Sequence, residues 1–422
     1  MKVLRLDIEG LKGIRSLRLD CAPGMNVIAG VNGAGKSTVL QALEIILSWV
    51  KARIRLKTGN GYSIPQEDIN KSSKFAAIAA KAIDNGHTFD WCIVRYLSAY
   101  RGPRQKSFLQ DMTLYADRLS MEYLESDGQC NLPMFVKYSV NRSLIDVPVK
   151  VHKKHRLDAM SIYEQPLDAG VNLRSFFEWF REREDIENEN KVNHKDFTFA
   201  DRQLAAVRRA ITKVMPGFSS LKTRRQKPAG FVLLKNGEEF RVDQLSDGEK
   251  CYLTLVGDIA RRLAIFNPIG DPLKGEGIIL IDELELHLHP GWQVEAIDNL
   301  REVFPNCQFF ITTHSPHIVQ NLHLYPGESD QFLVLKDGDR HEVATAYGKP
   351  VDDVLISVFG MESMRPPVVK KAIDKVWQLL MIEEQDSEKL AEAEAELRDM
   401  LPADDPLFAR IHRQKLINRI PK

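Results

Sequence analysis

Two stretches of this sequence carry residue types at spacings suited to holding and cleaving a phosphate chain. Gly30-Val31-Asn32-Gly33-Ala34-Gly35-Lys36-Ser37 is a complete G-x-x-x-x-G-K-S, followed by Thr38. Glycines so spaced let backbone N–H groups turn inward around phosphate oxygens, the lysine neutralises the β and γ oxygens, and the serine hydroxyl is a ligand for Mg²⁺. Gly30, Asn32, Gly33, Gly35, Lys36, Ser37 and Thr38 are therefore candidate nucleotide-binding residues, with Ser37 also a metal ligand. Gly277-Ile278-Ile279-Leu280-Ile281-Asp282-Glu283 runs four apolar residues into two carboxylates. A buried strand ending this way places Asp282 to hold Mg²⁺ through its water shell and Glu283 to orient and deprotonate an attacking water. A strand ending in Asp-Glu is commonplace alone; the upstream phosphate loop gives it meaning.

Two further stretches gain meaning from their order. Leu245-Ser246-Asp247-Gly248-Glu249-Lys250 opens a helix with an S-x-x-E capping box. The same geometry is an anion site, a capped helix start at which Gly248 permits close approach, so Ser246 and Gly248 are candidate γ-phosphate contacts. His314, in Phe309-Phe310-Ile311-Thr312-Thr313-His314-Ser315-Pro316, follows a strand downstream of Glu283. A lone histidine there is usually structural; as fourth in the order it becomes a candidate catalytic switch. His287 and His289 alternate onto one face, but spacing places no third ligand beside them and zinc is not expected.

The elements that must position these residues are readable around them. MNVIAG is the strand before the phosphate loop and Ser37–Val50 a buried helix after it; VLRLDI and SLRLDC precede them, and AAIAAKAI with FDWCIVRY forms a hairpin about Asp84-Asn85-Gly86. Residues 251–345 alternate helix and strand: a helix to Phe266, GIILID, a helix Pro290–Val303, QFFITT, a helix from Pro316 and FLVLK, an α/β core with a largely parallel sheet. Between these parts lie basic runs, an aromatic helix start FFEWFREREDIENEN, a helix with Leu204, Val207, Ile211 and Val214 on one face, and a hairpin about Asn236-Gly237. We expect an ATPase lobe with the phosphate loop over 1–99, an inserted mostly helical lobe over 100–229, a second ATPase lobe over 230–345, and a helical tail over 346–422.

Composition narrows the class. Apolar residues are 44% and charged residues 27% of 422, as in globular proteins, and 58 acidic and 58 basic residues leave no global field toward nucleic acid. The start, MKVLRLDIEG, alternates like a strand without a signal-peptide core, and no 18-residue apolar run offers a membrane span. Five dispersed cysteines without C-x-x-C read as reduced thiols. A cytoplasmic protein with no membrane partner is expected.

In motif order the chain resembles the ABC-type ATPases, specifically the RecF/SMC/OLD-like branch, through IDELELHLHPGWQ and FFITTHSP. It is similar in particular to the ATPase subunit of Septu-type antiphage defence systems and their retron-associated relatives, through LPMFVKYSVNRS (132–143), AGVNLRSFFEWFREREDIENEN (169–190), LSDGEK and AYGKPVDDVLISVFGMESMRP (346–366). The resemblance implies an α/β ABC-ATPase head, a two-lobed P-loop NTPase with a mixed, largely parallel sheet. It also implies ATP and Mg²⁺, slow hydrolysis, and head-to-tail dimers in which Ser246 and Gly248 meet a partner's nucleotide. The loop from Glu285 to Pro290 would cross the dimer seam, and a separate HNH-type nuclease subunit would be gated by nucleotide state. Two departures stand out. The glutamine that such proteins carry after a first-lobe strand has no clear match, and Asn141 is its substitute here. The signature reads Ser-Asp-Gly-Glu where many relatives have Ser-Gly-Gly-Gln. Lys12 or Arg15 are candidates for adenine contact.

Competing readings are a RecF-like DNA-repair or DNA-clamping ATPase and a transporter nucleotide-binding subunit, the latter weakened by a charged helical insertion that offers a poor coupling surface. Basic runs near 101–106, 152–156 and 222–227 suit DNA contact, with a solvated charged face as the plain alternative. The interval from Lys36 to Ser246 is too short for a long SMC coiled coil, and neither an H-N-H nor a clustered Toprim arrangement is present. In the tail, Val369, Ile373, Val376, Trp377 and Leu380 form one stripe and Leu390, Ala393 and Leu397 another, with Asp405 capping a last helix; paired helices for partner docking, or a mere cap, are expected.

Overall fold

The computed structural model describes residues 1–140, 158–168, 173–226, 230–323, 330–341, 345–381 and 387–418. The chain begins β1 (Lys2–Leu11), β2 (Ile14–Asp20), β3 (Met25–Ala29), α1 (Lys36–Arg55), β4 (Phe75–Asp84), β5 (His87–Tyr96), α2 (Gln110–Glu125) and β6 (Met134–Tyr138). It continues with α3 (Ala159–Glu164), α4 (Leu173–Asn193), α5 (Arg202–Val214), β7 (Phe218–Arg224), β8 (Gly230–Lys235), β9 (Glu238–Arg241), α6 (Asp247–Phe266) and β10 (Gly277–Ile281). Then come α7 (Pro290–Val303), β11 (Cys307–Thr313), α8 (Pro316–Gln320), β12 (Gln331–Lys336), β13 (Asp339–His341) and α9 (Val351–Ser357). Two compact units divide the chain, residues 1–354 and 355–422.

Two sheets of the first unit enclose α1. The antiparallel one runs β2-β1-β4-β5 and the other β13-β12-β3-β11-β10-β6, in which neighbours from β12 to β6 are parallel and β13 is antiparallel. Because α1 packs against strands of both, it is apolar nearly all round: Val39, Leu40, Leu43, Ile46, Val50 and Ile54 are fully buried. The same logic explains GIILI: β10 is flanked on both sides and covered on both faces, so every residue is buried. Two-residue turns with paired positive φ close the hairpins, at Asn85-Gly86 (47° and 81°) and Asn236-Gly237 (52° and 88°).

Among its described residues the segment 100–229 carries α2 to α5, and it also supplies β6 to the edge of the main sheet, while its β7 pairs with β8 to form the small sheet β7-β8-β9. The aromatic start of α4 is buried as Phe176, Phe177, Trp179 and Phe180. Phe176 lies so close to Gly257 of α6 that a β-carbon there would approach it to 2.8 Å. A buried charged group also fixes α6: Asp258 Oδ1 accepts from Arg261 Nε at 3.0 Å, and Oδ2 accepts from Arg262 Nε at 2.7 Å and the Tyr138 hydroxyl at 3.0 Å. Burial works against the Asp258 charge, but the two guanidiniums outweigh it and hold the carboxyl at about 2. Tyr138 ends β6, and its carbonyl accepts the Asp282 N–H at 2.8 Å, so α6 is tied through one residue to the carboxylate end of β10.

The second unit holds α10 (Pro367–Met381), α11 (Ser387–Met400) and α12 (Pro406–Asn418) around Ala372, Val376, Leu380, Leu390, Ala393, Leu397, Leu407 and Ile411. Asp405 caps α12, accepting the Leu407 N–H at 2.9 Å, and is clamped by both Arg365 terminal nitrogens at 2.7 and 2.8 Å. Among the described residues no helix is long and apolar enough to cross a membrane.

Candidate functional site

The phosphate loop joins β3 to α1 and is shaped by glycine. Gly30, Gly33 and Gly35 have φ of 149°, 79° and 102°, and a β-carbon on Gly30 would come within 2.3 Å of the Leu335 carbonyl oxygen. Gly35 directly precedes α1, whose first turn carries no acidic residue, so its free N–H groups and dipole offer an anion site. The buried Lys36 ammonium donates to the Gly30 and Val31 carbonyls at 2.9 and 3.0 Å. Burial lowers its pKa, opposed by the Asp282, Glu283 and Glu285 carboxylates facing it. Asn32, Gly33 and Ser37 are exposed, and Thr38 is buried.

Neighbouring strand ends bring the carboxylates to this loop. The Ser37 hydroxyl donates to Asp282 Oδ1 at 3.3 Å, and Thr312 Oγ1 donates to the same oxygen at 2.5 Å. Thr312 Oγ1 also accepts the Glu283 N–H at 2.8 Å. Glu283 adopts φ of 49°, a left-handed conformation that costs a residue with a β-carbon on the order of 1–3 kcal/mol and persists only when its surroundings impose it. One carboxylate oxygen of Glu283 lies 3.9 Å from His314 Nε2. Glu285 in turn accepts the Thr313 hydroxyl at 2.8 Å and the His314 backbone N–H. Burial, then the nearby Lys36 charge, lowers the His314 pKa against the pull of Glu285, Glu283 and Asp282, favouring a neutral imidazole.

Lys36, Ser37, Asp282, Glu283 and His314 thus converge on one site. The signature is built differently. Ser246 caps α6, its hydroxyl accepting the Glu249 N–H at 3.3 Å while Glu249 Oε2 accepts the Ser246 N–H at 2.9 Å. Burial disfavours the Glu249 charge, but Lys235, at 2.6 Å, and Ser246 hold its pKa below the ordinary value. Ser246 is exposed, and Gly248 packs on the loop after Glu283: a β-carbon there would meet the His287 carbonyl oxygen at 2.2 Å. Lys12 and Arg15 flank the turn whose Ile14 side chain sits 3.4 Å from a β-carbon on Gly35; Lys12 Nζ is 3.7 Å from Asp68. Asn141 lies outside the described residues, as does the basic run 152–156.

Two residues of the cluster escape motif reading. Thr312 and Glu285 make the bonds that aim Asp282, Glu283 and His314, and the only local hints are a Thr-Thr pair before the histidine and a Glu two positions after Glu283. With Asp282 and Ser37 in contact and Lys36 beside them, the site can hold a polyphosphate with a divalent cation and present a carboxylate to an attacking water.

Residues 130–320 match the family described as "AAA domain, putative AbiEii toxin, Type IV TA system", and the overlapping residues 5–214 match another family described as "AAA domain". The chain is 27% identical to the Retron Ec83 probable ATPase of Escherichia coli, over 97% of this chain and 86% of that one. It is 26% identical to the Septu protein PtuA of Bacillus thuringiensis, over 96% and 95%. Among solved structures, an SMC head bound to the C-winged helix domain of ScpA superposes with a TM-score of 0.47 and 15% identity, covering 81% of this chain and 97% of that one.

Proposed function

We propose that this ATPase, which is similar to the Retron Ec83 probable ATPase and to PtuA, is of the ABC type, binds Mg-ATP, hydrolyses it in a head-to-tail dimer, and gates a separate HNH-type nuclease in antiphage defence. What supports this reading most is the contact of Ser37 with Asp282 beside Glu283 and His314, in a chain similar to PtuA along nearly its full length. The glycine cradle and this oxygen-rich donor set fit a nucleotide and Mg²⁺: Ser37 and Asp282 would hold the metal, whose charge neutralises the β and γ oxygens.

The chain's own groups would then act as follows. Lys36 exchanges its bonds to the loop carbonyls for phosphate oxygens, and Gly30, Asn32, Gly33, Gly35 and Thr38 line the loop. Glu283, aimed by Thr312, orients the attacking water and takes its proton on a carboxylate oxygen. His314, beside Glu283, meets the γ-phosphate edge, and Asn141 stands in for the glutamine that such ATPases carry after a first-lobe strand. Ser246 and Gly248 present the capped start of α6 to the nucleotide of a second copy, since Ser246 is exposed and bonded within its own capping box. A cytoplasmic setting accords with this role.

The test is to co-purify the chain with the product of the gene beside its own and measure DNA cleavage with ATP, without nucleotide, and with Glu283→Gln. The proposal expects a nuclease whose cutting changes with nucleotide state and is held in one state by Glu283→Gln. Cleavage indifferent to ATP and to Glu283→Gln contradicts the gating; a lone DNA-binding ATPase without a nuclease partner favours the RecF-like reading.

A further inference from the structure

The loop from Glu283 to Pro290 is fixed at both ends, by different means. Near the carboxylates, Thr312 and Glu285 bind it to the end of β11. At its far end the fastening comes from α7: Gln293 Nε2 donates to the Leu288 carbonyl at 2.7 Å, while Gln293 Oε1 accepts the Ser315 hydroxyl at 2.6 Å. The amide orientation is chemically determined, because the Leu288 carbonyl can only accept and so must face the NH₂ group. Ser315 is buried, directly follows His314, and caps α8 by accepting the His317 and Ile318 N–H groups at 3.1 and 3.3 Å.

Next to Leu288 the loop meets the signature helix. His287 has φ of 65°, left-handed for a residue with a β-carbon, and its carbonyl oxygen is the atom that a β-carbon on Gly248 would strike. The approach is backbone to backbone, with no flexible side chain to absorb a shift. A movement of Ser315 would therefore pass through Gln293 and Leu288 to His287 and on to Gly248.

We propose that Gln293 is a positioning residue that couples the switch histidine of one nucleotide site to the signature helix serving the other, so that occupancy of a protomer's own site tunes its contribution to its partner's. This rests on the head-to-tail reading above. Gln293 touches no reacting atom; its bonds join Ser315 to Leu288, and its effect belongs to turnover and cooperativity, not to the phosphate cradle around Lys36.

The experiment uses the full chain with ATP. Gln293→Leu removes both bonds at similar size, and Gln293→Glu keeps an acceptor for Ser315 but loses the donor to Leu288. Coupling of this kind is worth about 0.5–2 kcal/mol, so both variants should lower kcat roughly 2- to 30-fold and flatten the ATP-dependence of turnover, with ATP affinity by calorimetry little changed. In a double-mutant cycle the Gln293→Leu effect should largely vanish in a Gly248→Ala background, where the downstream contact is already displaced. Unchanged kcat and cooperativity in both variants would overturn the inference, as would strict additivity with Gly248→Ala or a parallel loss of ATP affinity and thermal stability. Ser246→Arg separates the two levels: if it turns over like wild type, the head-to-tail reading fails; if it is inactive and the Gln293 variants are normal, only the coupling fails.

Discussion

The Thr312 hydroxyl donates to Asp282 Oδ1 at 2.5 Å and accepts the Glu283 N–H at 2.8 Å, so one side chain of β11 holds both acidic residues that follow β10. Thr312→Val keeps the shape and removes both bonds, taking its acceptor from the part-buried Glu283 N–H at a cost of about 1–3 kcal/mol. We expect turnover to collapse while ATP binding survives, and Thr312→Ser to restore most of it. Steady-state kinetics beside calorimetry decide; a Val variant with normal kcat would show that Thr312 only packs.

Lys36 and Glu283 should fail in opposite ways. Lys36→Ala removes a charged hydrogen-bond donor and should weaken ATP binding by roughly 10- to 150-fold in a folded protein. Glu283→Gln removes a general base, so ATP should bind and persist while turnover drops on the order of 10²–10⁴-fold. Equal ATP affinity in the Lys36 variant, or equal turnover in the Glu283 variant, contradicts the respective assignment.

Acidification should cost the nucleotide-free protein stability through His314. Above its ordinary pKa near 6.5 the ring is neutral in both folded and unfolded chains and contributes nothing. Because the folded value is lowered by burial and by Lys36, the unfolded chain takes up the proton first as pH falls below 6.5, and stability declines until the folded value is passed. Thermal melts over about pH 5 to 8 should show a shallower acid decline for His314→Asn than for wild type, with convergence at the alkaline end. Parallel curves would contradict the lowered pKa.

Asp258→Asn leaves the Arg261 and Arg262 charges buried without their carboxylate. The loss should be about 3–5 kcal/mol at neutral pH, read from denaturant midpoints. The folded pKa of Asp258, about 2, lies below its unfolded value near 3.8, so the carboxylate's stabilising contribution is complete above that range and is lost as pH falls from 3.8 toward 2. A variant within 0.5 kcal/mol of wild type, a margin ordinary for surface changes, would mean that the buried group does not hold α6.

Much of the site was legible because its residues announce themselves in contiguous motifs: Gly30 to Ser37 before a helix, Asp282 and Glu283 after an apolar run, Ser246 with Glu249 as a capping box. Hairpin turns at Asn85-Gly86 and Asn236-Gly237 were equally plain, since few residues tolerate paired positive φ. What escaped is whatever depends on strand order. FVKYSV reads as a strand, but nothing local says that it borders β10 or that Tyr138 links Asp258 to the Asp282 backbone. Thr312, Glu285 and Gln293 act across segments that meet only once β10 and β11 are adjacent. The tail's apolar stripes foretold its helices; the Arg365 clamp on Asp405, joining residues 40 apart, left no periodic trace.

If each active site is completed by a second copy, mixing two inactive variants should restore activity. Lys36→Ala lacks a working phosphate loop but keeps its signature, and Ser246→Arg has the reverse defect. In a head-to-tail dimer the mixed pair contains one intact composite site, so an equal mixture should recover up to about a quarter of wild-type ATP turnover by statistical pairing, where each variant alone has almost none. A mixture as inactive as its components, or a Ser246→Arg protein that hydrolyses ATP unaided, would contradict it.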